Sequence, residues 1–369
     1  HCPAFVEQKC ARPDNPPFVC NGCAGERRCV LRKRHCLHGK AQANYETILS
    51  GSRTGASVTE GELLAFDALL RDLTAKGRSV HAAMASNPDR FTVSEKTVYR
   101  HINGGLLSTK RGELPRACMV KPRKGKGVEH RVDRTCRVGR TWEDHLAFVE
   151  ANPGVRVVET DTVEGARGGK ALPALIFNPS SFMLTFPVDA KTGACVPGVF
   201  AAIVGKLRER HGDGWREVFA RLFPVILTDN GGEFSNPAAV ESDDGGRLTF
   251  VFYCQAYASC QKPHVERNHG FIRLVLPKGT AYTEPTPFDG LTQGKVDLMM
   301  PHVNAYVRNG LGDRTPYDLF AAEFGEDVAA LFGIVRVAAN DVTPRPSLPG
   351  IEVKVKESVS PTEENPSDR

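Results

Sequence analysis

Asp161 in the run VVETDTVEG, Asp229 in VILTDNGGEF and Glu266 in KPHVERNHG are three carboxylates placed by their contexts at a strand, at a strand end and in the first turn of a helix. Several hard oxygen donors gathered at one point suit divalent cations. Two such ions ~3.5–4 Å apart carry out phosphoryl transfer, one activating a water or 3′-hydroxyl and the other stabilising the leaving oxygen. Two Mg²⁺ or Mn²⁺ ions are therefore the expected cofactor. Asp161 falls inside a strand, where a half-buried carboxylate costs free energy unless it is paired or ligates a cation. Asp229 follows the apolar run Val225-Ile226-Leu227-Thr228 and precedes Asn230-Gly231-Gly232, so the chain can turn at the carboxyl end of the strand. That edge is where open α/β sheets bind ligands. Glu266 follows Asp229 closely enough for one strand and a connection to bring it back. Each acid also has an ordinary reading among the 43 acidic residues of the chain: Asp229 as a turn residue, Glu266 as an acid near a helix N-terminus. Glu159 shares a strand face with Asp161 and is its rival.

The elements that must position these acids follow from periodicity. Strands are expected over 155–163, 171–177 and 182–188, the last two joined through Asn178-Pro179-Ser180-Ser181, as an antiparallel meander. Helices are expected over 199–210 and 215–222, strands over 224–228 and 248–253, and a helix from Pro263 to about 276, since proline suits the first helical turn. Later helices are expected over 295–307 and 316–324. A meander followed by alternating strands and helices is an α/β architecture.

Neighbours of the acids have candidate roles. Asn230 and Gly231 shape the loop beside Asp229; Lys262 and Arg267 flank Glu266 and are placed to hold phosphates; Asn230 and Asn268 are candidate DNA contacts. His269, three positions after Glu266, shares its helix face and is read either as a ligand or proton shuttle, or as a packed histidine.

With 369 residues, 41% apolar and 25% charged, the composition is that of a soluble protein of two or three domains rather than a disordered or membrane one. No apolar run approaches the ~18 residues of a membrane helix, and no secretory signal is evident. The eleven cysteines are accordingly read as thiols or metal ligands in a reducing compartment. The chain begins His1-Cys2, without an initiator methionine, and is read as a fragment or trimmed chain. Five regions are expected: a Cys-rich segment over 1–40, a helical region over 41–109, a basic linker over 110–140, the α/β core over 141–335 and a largely disordered tail over 336–369.

The amino half offers DNA-binding features. Cys20, Cys23, Cys29 and Cys36 are candidate ligands of a structural zinc, with His35 and His38 as rivals, because a short loop rich in Pro and Gly buries little apolar surface by itself. Helices over 45–49 and 62–73 precede a candidate helix-turn-helix. Its first helix is expected over 79–85, and its second, over 94–102, would present Lys96, Thr97, Arg100 and His101; the long break over 86–93 keeps a plain helical hairpin open. From Lys110 to Arg140 eleven basic residues face three acidic, a local net of +8 in a chain of net +5. Lys121, Arg123, Lys124 and Lys126 in that stretch suit a polyanion's phosphates; a solvated basic linker is the alternative.

The segments ETDTVEG, LTDNGGEFS, FYCQAYASCQKPHVERNHGFIRLVLPKGT and GDRTPYDLF resemble the corresponding blocks of transposases of the insertion-sequence-30 type, within the retroviral-integrase-like group. The resemblance runs from about Pro16 into the 330s and is most specific over 252–280. It departs at Ser259-Cys260, where similar proteins often carry tryptophan. It implies a ribonuclease H-like catalytic core with Asp161, Asp229 and Glu266 as the metal-binding catalytic triad. It also implies terminal inverted repeats as substrate, cleavage and strand transfer, a homo-oligomer on DNA, and a bacterial cytoplasmic, nucleoid-associated location. Two other readings share the fold: a DNA-binding protein without catalysis, and a nuclease that does not join strands.

Overall fold

The computed structural model describes residues 8–51, 58–115, 135–165, 169–256, 258–279 and 283–354. The chain divides into two compact units, His1–Thr59 and Glu60–Arg369. The division therefore falls inside the region expected to be one helical domain over 41–109, and the helices after Thr59 belong to the same unit as the sheet. In the first unit a cysteine-bearing loop leads into α1 (His38–Gly51), which has no buried residue. The Asn21 side chain stitches that loop together: its Oδ1 accepts from Cys36 N at 2.7 Å, and its Nδ2 donates to Cys36 O at 3.0 Å.

The second unit opens with α2 (Glu60–Ala75), which buries Phe66, Leu70 and Leu73 at i, i+4 and i+7. Two shorter helices follow, α3 (Val80–Ala85) and α4 (Glu95–Asn103). Each begins at a serine whose side chain accepts an amide of the first turn: Ser79 from Ala82 N and Ser94 from Thr97 N. Arg78, 1% exposed, donates to Ala82 O and to Ala339 O, both at 2.6 Å, and so fastens α3 to the carboxyl-terminal segment. That segment is not a free tail over 344–354. Arg345 Nη2 donates to Thr74 O at 2.9 Å, and Leu348 and Ile351 pack on the main core. The few apolar residues of an otherwise polar stretch are enough to dock it. Residues 355–369 lie outside the described residues.

His81 ties α3 to α4 and to the loop before the last long helices, with Nδ1 3.1 Å from Glu95 Oε2 and Nε2 2.9 Å from Asp313 Oδ1. Burial acts to lower its pKa, but the hydrogen bonds and charges of Asp313 and Glu95 outweigh burial and raise it above 6.5. The charged clasp is therefore fully present below about pH 6.5 and is lost as pH rises through the higher folded value. In urea unfolding, the stability gap between wild type and His81→Asn is expected to be widest at pH 6 and to narrow by pH 8.5. A gap that widens with pH would refute the clasp.

After α5 (Trp142–Ala151), started by a reciprocal Thr141–Asp144 capping box, comes a three-stranded meander of β1 (Val157–Glu164), β2 (Ala171–Phe177) and β3 (Phe182–Thr185). β3 ends before the expected Val188 because Pro187 has no amide for the ladder; Val188 keeps only an isolated bridge to Ala171. Next come α6 (Cys195–His211), α7 (Trp215–Leu222), β4 (Val225–Thr228), α8 (Ala238–Glu241), a two-residue-per-strand ribbon of β5 (Ser242–Asp243) and β6 (Gly246–Arg247), and β7 (Phe250–Tyr253). The helices α9 (Pro263–Val275), α10 (Gln293–Asn304), α11 (Pro316–Phe324) and α12 (Glu326–Leu331) complete the unit.

The main sheet has the order β3-β2-β1-β4-β7, antiparallel across β3-β2-β1 and parallel across β1-β4-β7. Its centre is covered on both faces. Val225, Leu227 and Phe252 pack with Trp142 and Phe148, whereas Ile226 and Val251 join the large core with Ile203, Leu207 and Phe219. This explains why β4 is an uninterrupted apolar run rather than an alternating one. The chain is thus a mixed α/β protein with a helical amino-terminal region. Among the described residues no helix is long and apolar enough to cross a membrane.

Candidate active site

Parallel pairing of β1 with β4 sets Val157 beside Val225, Val158 beside Ile226 and Glu159 beside Leu227. Continued two residues further, the same register brings Asp161 level with Asp229, at the carboxyl ends of the paired segments. Asp161 Oδ1 accepts from Thr162 N at 2.8 Å. Asp229 Oδ1 accepts from Gly231 N at 3.1 Å, the side-chain turn that folds the chain away from the strand. Asn230 Nδ2 is spent on Cys254 O at 2.8 Å, which pins this loop to the end of β7.

Gly231 is required by what lies behind it. A Cβ there would sit 2.6 Å from Glu233 Cδ, and Glu233 is fully buried. Gly231→Ala is expected to cost about 1–3 kcal/mol through overpacking and to displace the Asp229 turn. Chemical denaturation together with metal binding measures both effects. Glu233 pairs with Lys191 Nζ at 3.1 Å, and the same ammonium lies 2.9 Å from Glu164 Oε1 at the end of β1. Burial disfavours the Lys191 charge, but Glu233 and Glu164 raise its pKa above that of an ordinary lysine. The sheet edge is therefore braced from behind by Glu164, Lys191 and Glu233. None of these was singled out from the sequence, because the contacts join residues far apart in the chain.

α9 is held to β1 by two buried contacts. Glu159, 3% exposed, accepts from Val265 N at 2.9 Å in the first turn of α9 and from Asn178 Nδ2 at 2.8 Å. It caps the helix that carries Glu266 and is not free to act as the rival of Asp161. Lys262, 5% exposed, donates to Thr160 O at 2.9 Å and stands 4.0 Å from Asp161 Oδ2. Its expected role on DNA phosphates is corrected: the ammonium is turned inward, where a backbone carbonyl and a carboxylate satisfy it. Asn268 is likewise corrected. At 1% exposure its Nδ2 donates to His264 O at 2.7 Å and its Oδ1 accepts from Arg308, so both polar atoms are spent within the protein. Arg267 is exposed, as are Lys96 and Arg100 on α4, while Thr97 is half-buried. Lys121, Arg123, Lys124 and Lys126 lie outside the described residues.

The electrostatics centre on Asp161. Burial raises its pKa, Lys262 opposes, and neighbouring Asp229 raises it again, to about 6. His269 Nδ1 lies 3.9 Å from Asp161 Oδ2. Burial, then Lys262 and Arg273, push its imidazole down to about 4, so it is neutral and this contact is not an ion pair. Burial likewise pushes the Cys254 thiol up to about 12, with Asp229, Glu159 and Asp161 adding to the rise and Lys262 opposing it. Two repelling carboxylates with a neutral imidazole beside them form a donor set that fits a divalent cation.

Glu266 is exposed on the first turn of α9, one turn before His269 and on the same face. Among the described residues no three His, Cys, Asp or Glu side chains converge into a ready metal cage, either here or around Cys20, Cys23, Cys29 and Cys36. Cys20 Sγ does accept Arg34 N at 3.3 Å. For Mg²⁺ a complete protein cage is not needed, because it is ordinarily held by one or two carboxylates plus substrate phosphates and water. Beside the acids opens a polar cleft of about 620 Å³, lined by Glu164, Lys191, His269, Arg273 and Lys278 among others; Lys191 is held by Glu164 and Glu233 and Arg273 by Glu164 O, and exposed Lys278 suits a phosphate chain.

A mixed α/β fold with two acids at the edge of a sheet and a third on a helix anchored to that edge is the class of structure defined here. No protein-family model matches the chain. Two relatives do. A probable transposase for the insertion-like sequence element IS1161 of Streptococcus salivarius is 27% identical over 210 residues, covering 56% of this chain and 54% of that protein. The transposase for insertion sequence element IS1086 of Cupriavidus metallidurans is 26% identical over 247 residues, covering 65% of each. The chain thus spans between about half and two thirds of the length of these relatives.

Proposed function

We propose that this protein is a DNA transposase that binds the terminal inverted repeats of a mobile element and cuts and joins strands with two Mg²⁺ or Mn²⁺ ions. The observation that carries the reading is the shared level of Asp161 and Asp229 across β1 and β4, in a chain similar to proteins named transposases. Asp161, Asp229 and Glu266 would hold the ions, which when bound supply charge neutralisation at the attacking and leaving oxygens. The chain's own residues do the rest. Glu159 and Lys262 hold α9 against β1; His269, neutral, is placed as a donor beside Asp161; Lys278, exposed at the cleft, is placed to meet the phosphate backbone. The sheet order and the position of the acids are compatible with a ribonuclease H-like core, and the α3–α4 pair is read as a helix-turn-helix whose exposed Lys96 and Arg100 contact DNA. A structural zinc would need Cys20, Cys23, Cys29 and Cys36 to converge more closely than they do here; assembly of more than one copy on DNA belongs to the same proposal.

The test is incubation of the protein with the element's end sequences and Mg²⁺. A covalently joined product is expected. Cleavage without joining would make it a nuclease of the same fold, and DNA binding without cleavage would make it a DNA-binding protein that lacks catalysis.

A further inference from the structure

Among the described residues Arg308 is a buried cation without an anion. It is 8% exposed; Nη1 donates to Asn268 Oδ1 and Nη2 to Val303 O at 3.3 Å, while Nε has no partner. Among the described residues no carboxylate lies within ion-pair distance of it. A guanidinium taken out of water is costly unless a counter-charge accompanies it, and stacking 4.0 Å over the Phe271 ring offsets only part of that cost. Arg308 lines a cleft of about 450 Å³ formed by α3, α9 and the loop after α10. The neighbouring wall carries Arg267, exposed and without an ion pair among the described residues. The floor is largely apolar and aromatic: Phe271, Leu274, Tyr306 and Val307.

An aromatic floor beside two unneutralised guanidinium groups matches a base attached to a phosphate, since any base can stack on a ring and a planar guanidinium can take phosphate oxygens in pairs. Arg267 directly follows Glu266 on α9, about 100° round the helix from it, so the cleft adjoins the face that carries the acid. The geometry points to this cleft as the seat of an unpaired nucleotide of the DNA strand, its base against the floor of Leu274, Tyr306 and Val307 beside the Arg308–Phe271 stack and its phosphate between Arg267 and Arg308. The assignment rests on the reading of the protein as one that acts on DNA.

The experiment uses the full chain in EDTA and follows fluorescence anisotropy of a labelled duplex with a short single-stranded overhang against the same duplex with blunt ends. Wild type is expected to prefer the overhang by about tenfold, the order of one stacked base. Arg267→Gln and Phe271→Leu, each checked for native circular dichroism, are expected to bring the overhang down to the blunt value. Arg267 is exposed, so its variant keeps the test valid if a change at Arg308 prevents folding. No overhang preference in wild type, or a preference untouched by both variants, would overturn the site. Free deoxyadenosine monophosphate binding as tightly as the overhang would also overturn it, in favour of a site for free nucleotides. Because no metal is present, loss of the preference in the variants supports the cleft even if no cleavage is ever found. Cleavage by wild type without an overhang preference keeps the catalytic reading and removes the cleft.

Discussion

Asp229→Asn is expected to reduce metal-dependent strand cleavage by at least about 10³-fold while leaving the fold intact. The side chain's one hydrogen bond among the described residues, from Gly231 N, can be accepted equally well by an asparagine oxygen, so stability should stay within about 0.5 kcal/mol of wild type. What the substitution removes is negative charge beside Asp161 that a divalent cation would need. The control is Asp243→Asn. Asp243 lies in the β5–β6 ribbon, where it pairs with Arg216 and accepts from Gly245 N at 2.9 Å. Its partners are structural and partly exposed, so cleavage should stay within about twofold of wild type, with at most about 1 kcal/mol lost in stability. Equal activity of the two variants would remove the catalytic assignment of Asp229.

Glu159→Ala should be the more damaging change to stability, at about 2–4 kcal/mol. The carboxylate is 3% exposed and is the acceptor for both Val265 N and Asn178 Nδ2. Its removal strands two donors away from water, at about 1–3 kcal/mol for each unsatisfied group, less what relaxation and entering water recover. Urea unfolding should show a lower midpoint with an unchanged slope, the mark of lost stability rather than a changed unfolded state. Glu159→Gln keeps an acceptor oxygen and should recover roughly half of the loss. Folded Glu159→Gln is also expected to bind Mn²⁺ as wild type does, because Glu159 holds α9 rather than an ion. Weakened Mn²⁺ binding would make Glu159 a ligand in place of a cap.

Much of this arrangement was legible locally. Ser79 and Ser94 mark helix starts through their own side chains, Pro263 marks the start of α9, and the apolar run before Asp229 marks a strand covered on both faces. The inward turn of Asn268 was also in reach. It shares helical spacing with buried Val265, Ile272 and Val275, so periodicity places it on the packed side of α9. The roles of Glu159, Glu233 and Lys191 were not readable in this way. Glu159 and Asp161 alternate onto one strand face, and only the approach of α9, 106 residues away, makes one a cap and leaves the other in the cleft. Lys262 was misplaced for a related reason. A lysine beside an acid reads as a phosphate contact in sequence, whereas a carbonyl of β1 draws its ammonium inside.

The central claim is that Asp161 and Asp229, with Glu266, hold the ions of a phosphoryl-transfer site. Electron paramagnetic resonance titration of Mn²⁺ into the protein with cleavable end DNA measures this most directly. Two ions per chain are expected for wild type, with loss of binding in Asp161→Asn and in Asp229→Asn under conditions where both variants remain folded. Wild-type Mn²⁺ occupancy retained in both variants would contradict the claim.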